Sequence, residues 1–465
     1  MAYITFLGAA GTVTGSKHLL QTRNRNYLID CGLFQGTKEN RRKNWEPMGI
    51  AAADIDRIFL THAHIDHTGY LPRLCRTSFK GEIHCTPATH ELCEILLRDS
   101  AHLQEEDAYW ANKKGFSKHK PALPLFTQED VERTLTYFSP LHYGEDMYLD
   151  EDFRVKFKDA GHILGSALVD MKLLDGDRSR KIVFSGDLGQ PDNVILRDPV
   201  QVYNVDYLIV ESTYGDRLHG ELSGSDELAR VVNESIDRGG VLVIPSFAVE
   251  RTQVILFTLR ELEDKRAIPE LPIYVDSPMA INATEVFENR LVDLNLDTRI
   301  KKLEGKKVFH PERLTYCLTR EESKAINAEQ GPAIIISSSG MATGGRILHH
   351  LVNRLPDEKN TILFVGYQAM GTRGRSLVEG AEQVKIHGRY IPVTARVENI
   401  PAFSGHADYN AILAWLMGFN RPPLKTFIVH GEPESSNALA EKIRRQFGWE
   451  VEVPVQGDRF ELDFD

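Results

Sequence analysis

Long apolar runs are missing from this chain of 465 residues. No stretch approaches the ~18 consecutive apolar residues that a membrane span needs, and the start, Met1 to Gly8, has neither the basic flank nor the cleavage site of a secretory signal. A cytoplasmic protein with no membrane partner is expected. Cysteine is scarce: Cys31, Cys75, Cys85, Cys93 and Cys317 are odd in number and contain no C-x-x-C pair, so no zinc ribbon or dithiol redox motif is present. They read as small buried hydrophobes in a reducing compartment. Positive charge is also short, with 55 Lys and Arg against 66 Asp and Glu and a formal net charge of -11. Such a chain does not coat nucleic acid through bulk charge. A local basic surface must come from clusters, and two are present: Lys38, Arg41, Arg42 and Lys43, then Arg373, Arg375, Lys385 and Arg389. Each alone reads as a solvated face. There is no internal repeat, no low-complexity segment and no P-loop, and Gly8-Ala9-Ala10-Gly11 lacks the dinucleotide-binding spacing.

What is present is an ordinary globular composition, 42% hydrophobic and 26% charged, long enough for two or three units with buried cores. The first two hundred residues alternate short β-type runs with turns: Tyr3 to Leu7, Tyr27 to Ile29, Arg57 to Leu60, Phe153 to Phe157, Ala167 to Leu174 and Lys181 to Phe184, with Asp175-Gly176 as a hairpin turn. A helical, charged excursion runs from His90 to Lys120. After Val205 to Val210 the texture becomes regular: helical Glu227 to Ile236, strand Val241 to Ile244, helical Thr252 to Leu262, then strands Ile273 to Val275, Ala333 to Ser337 and Thr361 to Val365. That alternation is the signature of a parallel sheet with helical crossovers. A last strand and helix, Thr426 to Val429 and Ser436 to Gln446, follow it. Metal-type residues stop near Asp187 and resume at His406, so the economical reading is a second α/β unit inserted into the first.

The segment Thr61-His62-Ala63-His64-Ile65-Asp66-His67 follows the apolar run Ile58-Phe59-Leu60. In extended chain alternate side chains share a face, so His62 and His64 can converge on one ion while Asp66 and His67 turn toward a second. Imidazole and carboxylate donors without cysteine suit an ion that keeps a position open for water. His162 in Ala160-Gly161-His162-Ile163-Leu164-Gly165-Ser166 and Asp187 in Phe184-Ser185-Gly186-Asp187 sit where loops at strand ends can reach the same place. Asp187 can bridge two ions, and Asp30 in Leu28-Ile29-Asp30-Cys31-Gly32 is placed to orient a ligand histidine.

This order of motifs resembles the metallo-β-lactamase superfamily. Three later features narrow the match: Glu211 in Val210-Glu211-Ser212-Thr213-Tyr214-Gly215, His406 in Phe403-Ser404-Gly405-His406-Ala407-Asp408, and His430 in Val429-His430-Gly431-Glu432. In type and order they resemble motifs A, B and C of the β-CASP nucleases, the branch that includes the pre-mRNA 3′-end endonuclease, RNase J and compact prokaryotic relatives. The resemblance covers nearly the whole chain. It implies an α/β fold: a metallo-β-lactamase αββα sandwich over 1-208 and 395-465, with an inserted α/β β-CASP domain of mainly parallel sheet over 209-394. It implies that His62, His64 and His162 hold one zinc ion, that Asp66, His67 and His430 hold the other, and that Asp187 bridges; manganese or iron remain alternatives. Asp66, Glu211 and His406 are the implied catalytic residues, His406 as general acid or phosphate contact with Glu211 bonded to it. The family often has glycine where Glu250 stands.

In the inserted unit the strand ending at Ser337 runs into a Gly-rich turn, Ser338-Ser339-Gly340-Met341-Ala342-Thr343-Gly344-Gly345-Arg346. Its free N–H groups and hydroxyls can receive a phosphate, so Ser337, Ser338, Gly340 and Arg346, with Ser404, are the expected substrate contacts. The expected activity is hydrolysis of single-stranded RNA in processing or decay, by endonucleolytic or 5′-exonucleolytic action. His430 favours RNA, because DNA-acting members commonly carry an aliphatic residue there. A small-molecule hydrolase acting on a thioester, lactam or lactone, a DNA nuclease, and a silent RNA-binding protein are the alternatives. The chain ends soon after motif C without a long extension, so contacts from a partner or from a homodimer are the expected source of further RNA grip.

Overall fold

The computed structural model describes residues 2–115, 117–150, 153–175, 178–220, 223–295 and 307–463. It divides into two units. The first comprises Met1–Asp192, Arg197–Leu218 and His406–Asp465, the second Asn193–Leu196 and His219–Gly405.

The first unit is built on two sheets. One has six strands in the order Arg459–Leu462, Ala2–Phe6, His18–Gln21, Asn26–Ile29, Arg57–Phe59 and Glu82–His84. The other has seven, in the order Val451–Glu452, Lys425–Val429, Tyr207–Glu211, Arg178–Phe184, Ala167–Asp175, Phe153–Asp159 and Met147–Asp150. Alternation decides what faces inward: Ala2, Ile4 and Phe6 are buried and the residues between them only half-buried. They join Phe59, Phe157, Phe184, Ile209 and Phe427 in one core that draws on both sheets. The seven-stranded sheet buries its other side as well, where Leu168, Val183 and Leu208 meet Ile412, Trp415, Leu439 and Ile443 from helices Tyr409–Met417 and Pro433–Phe447. A strand covered on both faces reads as a continuous apolar run, as Tyr207 to Val210 does.

The helical excursion forms Pro87–Lys114, capped by the Thr86 hydroxyl. It ends earlier than the charge pattern suggests, because Gly115 takes a left-handed conformation (φ 66°) that closes the last turn. Strands Ala167–Asp175 and Arg178–Phe184 pair as an antiparallel hairpin; Gly176 of the expected turn lies outside the described residues. All five cysteines are buried and free. Among the described residues no helix is long and apolar enough to cross a membrane.

The second unit carries a six-stranded sheet in the order Leu314–Tyr316, Ile273–Val275, Ala333–Ser337, Val241–Pro245, Thr361–Phe364 and Arg396–Asn399, parallel at every pairing. Its core packs Val241, Val243, Ile335 and Phe364 with Ile347 and Leu351 of the helix Ile347–Arg354. The main segment of the unit opens at His219, where the sequence suggested 209, because Tyr207–Glu211 pairs on both sides with strands of the first unit. It closes at Gly405, where the sequence suggested 394, since Arg396–Asn399 is the last strand of its own sheet.

Candidate metal centre

Parallel pairing brings strand ends to one edge. Asn26–Ile29 and Arg57–Phe59 run parallel, and so do Arg178–Phe184, Tyr207–Glu211 and Lys425–Val429. Asp30, His62, Asp187, Glu211 and His430 therefore stand at or just past carboxyl ends of neighbouring strands. His162 comes from the loop joining Phe153–Asp159 to Ala167–Asp175, and Ala167 N–H donates to the Thr61 carbonyl (2.7 Å), tying that loop to the His62 segment. Two glycines let the loops close. A Cβ on Gly32 would lie 1.5 Å from the Asp66 carbonyl oxygen, and one on Gly186 2.5 Å from the Thr61 side chain.

The donor atoms form two groups that share Asp187. His64 Nδ1 lies 3.0 Å from His62 Nε2 and 3.3 Å from His162 Nε2, while Asp187 Oδ2 lies 3.4 and 3.5 Å from those two nitrogens. His67 Nε2 lies 3.2 Å from His430 Nε2 and 3.4 Å from Asp187 Oδ1, and His430 Nε2 lies 3.5 Å from Asp66 Oδ2. Donors bound at ~2.0–2.1 Å to one tetrahedral zinc ion stand about 3.3–3.4 Å apart, so these separations fit a bound ion in each group. Asp187 Oδ1 is buried without a hydrogen-bond partner, a costly state that a cation relieves. Burial holds His62 neutral, well below the usual imidazole range, which is the ligating form.

The electrostatics point the same way. Burial pushes the Asp66 carboxyl up, but its hydrogen bond with His430 and the surrounding imidazoles hold it well below the usual carboxylate range. Burial pulls His67 down, yet Asp187 and Asp30 overcome it and push His67 up to about 10. A field that retains a proton against full burial favours any cation placed there. Asp30 meets His67 Nδ1 at 2.7 Å and accepts from Thr61 N–H at 2.8 Å. The first contact makes Nδ1 a donor, so Nε2 is the nitrogen that faces the cluster and the one an ion would take in place of its proton.

Beside this set, His406 Nδ1 meets Glu211 Oε1 at 3.0 Å. Glu211 is fully buried and fixed by N–H groups of Leu188 (2.8 Å) and Thr213 (3.1 Å). Burial lowers His406, but Glu211 and then Asp187 outweigh it and push it up to about 9; for Glu211, His406 overcomes the upward pull of burial and lowers it. His406 keeps 17% of its side chain exposed, enough to meet a substrate.

The residues expected at a phosphate cradle belong to the second unit. The Ser337 hydroxyl donates to the Asp276 carbonyl (2.8 Å), and Arg346 is held by Asp276 Oδ1 (2.7 Å) and the carbonyls of Cys317 and Leu318. Ser338 accepts from the Ser277 hydroxyl at 3.1 Å, Gly340 is packed against Phe247, and Ser404 N–H donates to the Pro401 carbonyl. Glu250 has φ 69°, a left-handed conformation that glycine adopts freely, and its buried carboxylate meets Arg251 at 3.0 Å. Thr61 and Thr213 stand within the motifs of the sequence, which assign them no role. The Thr61 hydroxyl lies 3.0 Å from His62 Nδ1 and that of Thr213 lies 3.2 Å from His430 Nδ1. Thr61 directly precedes His62 and Thr213 follows Glu211 by two residues, which is the signal the sequence offers for them.

Comparison with known proteins agrees with this geometry. The model of the metallo-beta-lactamase superfamily matches residues 11–269, that of the Beta-Casp domain 252–377, and that of the Zn-dependent metallo-hydrolase RNA specificity domain 390–454. A ribonuclease of Thermus thermophilus is 38% identical over 97% of this chain and 98% of its own length. This chain belongs to the β-CASP family of the metallo-β-lactamase superfamily. Among other relatives of this β-CASP protein, the transcription termination factor FttA of Methanocaldococcus jannaschii is 32% identical over 98% of this chain and 71% of its own length. An RNase J-like protein of the same organism is 30% identical over 98% and 99%. A crystal structure of a protein of unknown function from Enterococcus faecalis shares the fold at a TM-score of 0.53 and 13% identity, over 99% of this chain and 100% of that one. The β-CASP protein is a metal-dependent hydrolase by family.

Proposed function

We propose that this chain is a zinc-dependent ribonuclease that hydrolyses phosphodiester bonds of single-stranded RNA, in RNA processing or decay. The observation that carries the reading is the His406 and Glu211 pair beside the donor cluster, where the buried carboxylate raises His406 to about 9 and so keeps a proton donor charged at neutral pH. A ribose 3′ oxygen needs that proton to leave; a thiolate does not. The Thermus relative's name and the RNA specificity description of residues 390–454 support RNA as the substrate class.

His62, His64 and His162 would hold one ion, Asp66, His67 and His430 the other, with Asp187 between them. When bound, the two ions supply a nucleophile from water at neutral pH and offset charge on the phosphoryl oxygens. The chain's own residues orient and donate. Asp30 keeps His67 in the tautomer whose Nε2 lone pair faces the cluster, and Thr61 and Thr213 steady the rings of His62 and His430. Glu211, pinned by two N–H groups, keeps His406 charged and aimed. As the water oxygen joins phosphorus and the bond to the 3′ oxygen breaks, His406 gives its proton to that oxygen, leaving a 3′ hydroxyl and a 5′ phosphate. Water then reprotonates His406. End-labelled single-stranded RNA and DNA, each with and without a chelator, test the reading by product length over time. RNA cleavage that the chelator stops is expected; turnover of a lactam or thioester with RNA left intact would overturn it.

A further inference from the structure

The first basic cluster takes no part in the metal centre, yet the fold anchors it to the same segment. Cys31 N–H donates to the His67 carbonyl (2.7 Å) and Leu33 N–H to the Ile65 carbonyl (2.9 Å), so the chain leading into the helix Lys38–Lys43 is tied to the loop carrying His64, Asp66 and His67. At the far end of that helix the buried Asn44 amide clasps the Phe34 backbone, accepting from its N–H (2.9 Å) and donating to its carbonyl (2.8 Å). The Thr37 hydroxyl caps the helix start, and Asn40 bonds Thr12. The helix is held at both ends and buries none of its residues.

Its charges are uncompensated. Among the described residues, no carboxylate lies within 4.0 Å of the cationic groups of Lys38, Arg41, Arg42 or Lys43, nor of Arg73. Elsewhere on the surface some cations are neutralised by carboxylates, as Arg98 is by Glu132 (2.7 Å) and Glu94 (3.2 Å); what sets this cluster apart is four cations on one short helix beside an exposed indole. Aromatic rings take the place of carboxylates here. The Arg73 guanidinium lies 5.1 Å from the centroid of Trp45, which is 52% exposed. Lys17 and Lys43 both face Phe34, at 4.5 and 5.1 Å. Lys17 is buried, and burial pulls it down to about 8. Cations without anions next to an exposed indole are the two components of single-strand binding: phosphates pair with the cations and a base stacks on the ring. A surface already held in shape loses little entropy on binding.

We propose that Lys38, Arg41, Arg42, Lys43, Trp45 and Arg73 form the surface that grips the sugar-phosphate backbone of single-stranded RNA. The ligand rests on the ribonuclease reading; the surface is new to it. Fluorescence anisotropy with a short labelled RNA of phosphorothioate linkages, which resists cutting, tests it over a range of salt concentrations. In the triple variant Arg41→Ala, Arg42→Ala, Lys43→Ala, the slope of log affinity against log salt becomes shallower by about 2, from ~0.7 for each lost phosphate contact. Trp45→Ala weakens binding about tenfold at fixed salt and leaves the slope unchanged. Arg98→Ala removes a charge that is already paired and leaves the slope as in the wild type. A triple variant with the wild-type affinity and slope overturns the inference. A wild-type protein that binds this RNA yet leaves unmodified RNA of the same sequence intact defeats the ribonuclease reading and leaves this test standing. Cutting of RNA together with an unchanged triple-variant slope defeats this inference alone, and a wild type that binds no RNA at low salt defeats both.

Discussion

Two buried clusters in this protein use the same residue types and do opposite things. In the second unit Asp276, fully buried, accepts from Arg346 (2.7 Å), Ser323 (2.6 Å) and His350 (2.7 Å). Each carboxylate oxygen faces a donor. In the first unit Asp187 is as deeply placed, but one oxygen has no hydrogen-bond partner, and ring nitrogens of five imidazoles crowd together at 3.0–3.3 Å. A histidine and an aspartate together do not make a site. The difference lies at the carboxylates: both Asp276 oxygens accept hydrogen bonds from within the chain, whereas Asp187 Oδ1 accepts none and faces His67 and His430 nitrogens at 3.4 Å.

This contrast can be broken experimentally. Asp187→Ala should cost the largest effect, with RNA hydrolysis reduced about 10⁴-fold or more and at least one equivalent of metal lost by elemental analysis; an active variant with full metal content would remove Asp187 from the site. His406→Ala should retain its metal and lose about 10²–10⁴-fold in turnover. Wild-type turnover there would sink the proton-donor role. Asp276→Ala should leave metal content untouched and destabilise the protein by about 3 kcal/mol, because Arg346 and His350 lose the carboxylate that compensates them; thermal unfolding reads this directly. Burial raises the Asp276 carboxyl, but the bonds from His350, Ser323 and Arg346 prevail and hold it below its ordinary 3.8. A depressed carboxylate stabilises above the ordinary value and loses that contribution as pH falls through the depressed one. The second unit should therefore lose stability on acidification below about pH 4, and Asp276→Asn should flatten that loss. The smallest effect is expected from Asp30→Asn, a ~10–100-fold loss of metal affinity with the fold intact, measured by competition with a chelator dye.

Much of the arrangement was legible beforehand. The period-two runs and the βα alternation after Val205 are set by local burial, so the strands Val241–Pro245, Ile273–Val275 and Ala333–Ser337 match the expected ones to within a residue. The donor set was legible for another reason: His62 to His67 has no use in a core, so its chemistry stands out against the pattern. Other features left no local mark. Strand Arg459–Leu462 pairs with Ala2–Phe6 from the opposite end of the chain, and nothing in either segment names its partner. Arg346 reads as a phosphate ligand in a Gly-rich turn, yet its guanidinium is held by Asp276 and two carbonyls, a pairing 70 residues away in sequence. Glu250 looked like a departure from the family pattern; its left-handed backbone and the ion pair to Arg251 show how the chain accommodates it.

The sequence by itself determined which chemistry this protein carries, because residue type fixes donor identity and charge, and a cluster such as His62-Ala63-His64-Ile65-Asp66-His67 cannot be disguised by folding. Tertiary structure decided which of those donors meet. Parallel strands with their carboxyl ends at one edge gather Asp30, His62, Asp187, Glu211 and His430 from across four hundred positions. The same packing saturates Asp276 and leaves Lys38, Arg41, Arg42 and Lys43 unpaired. Saturation is a property of contacts across the chain, and contacts are what a sequence read in order does not contain.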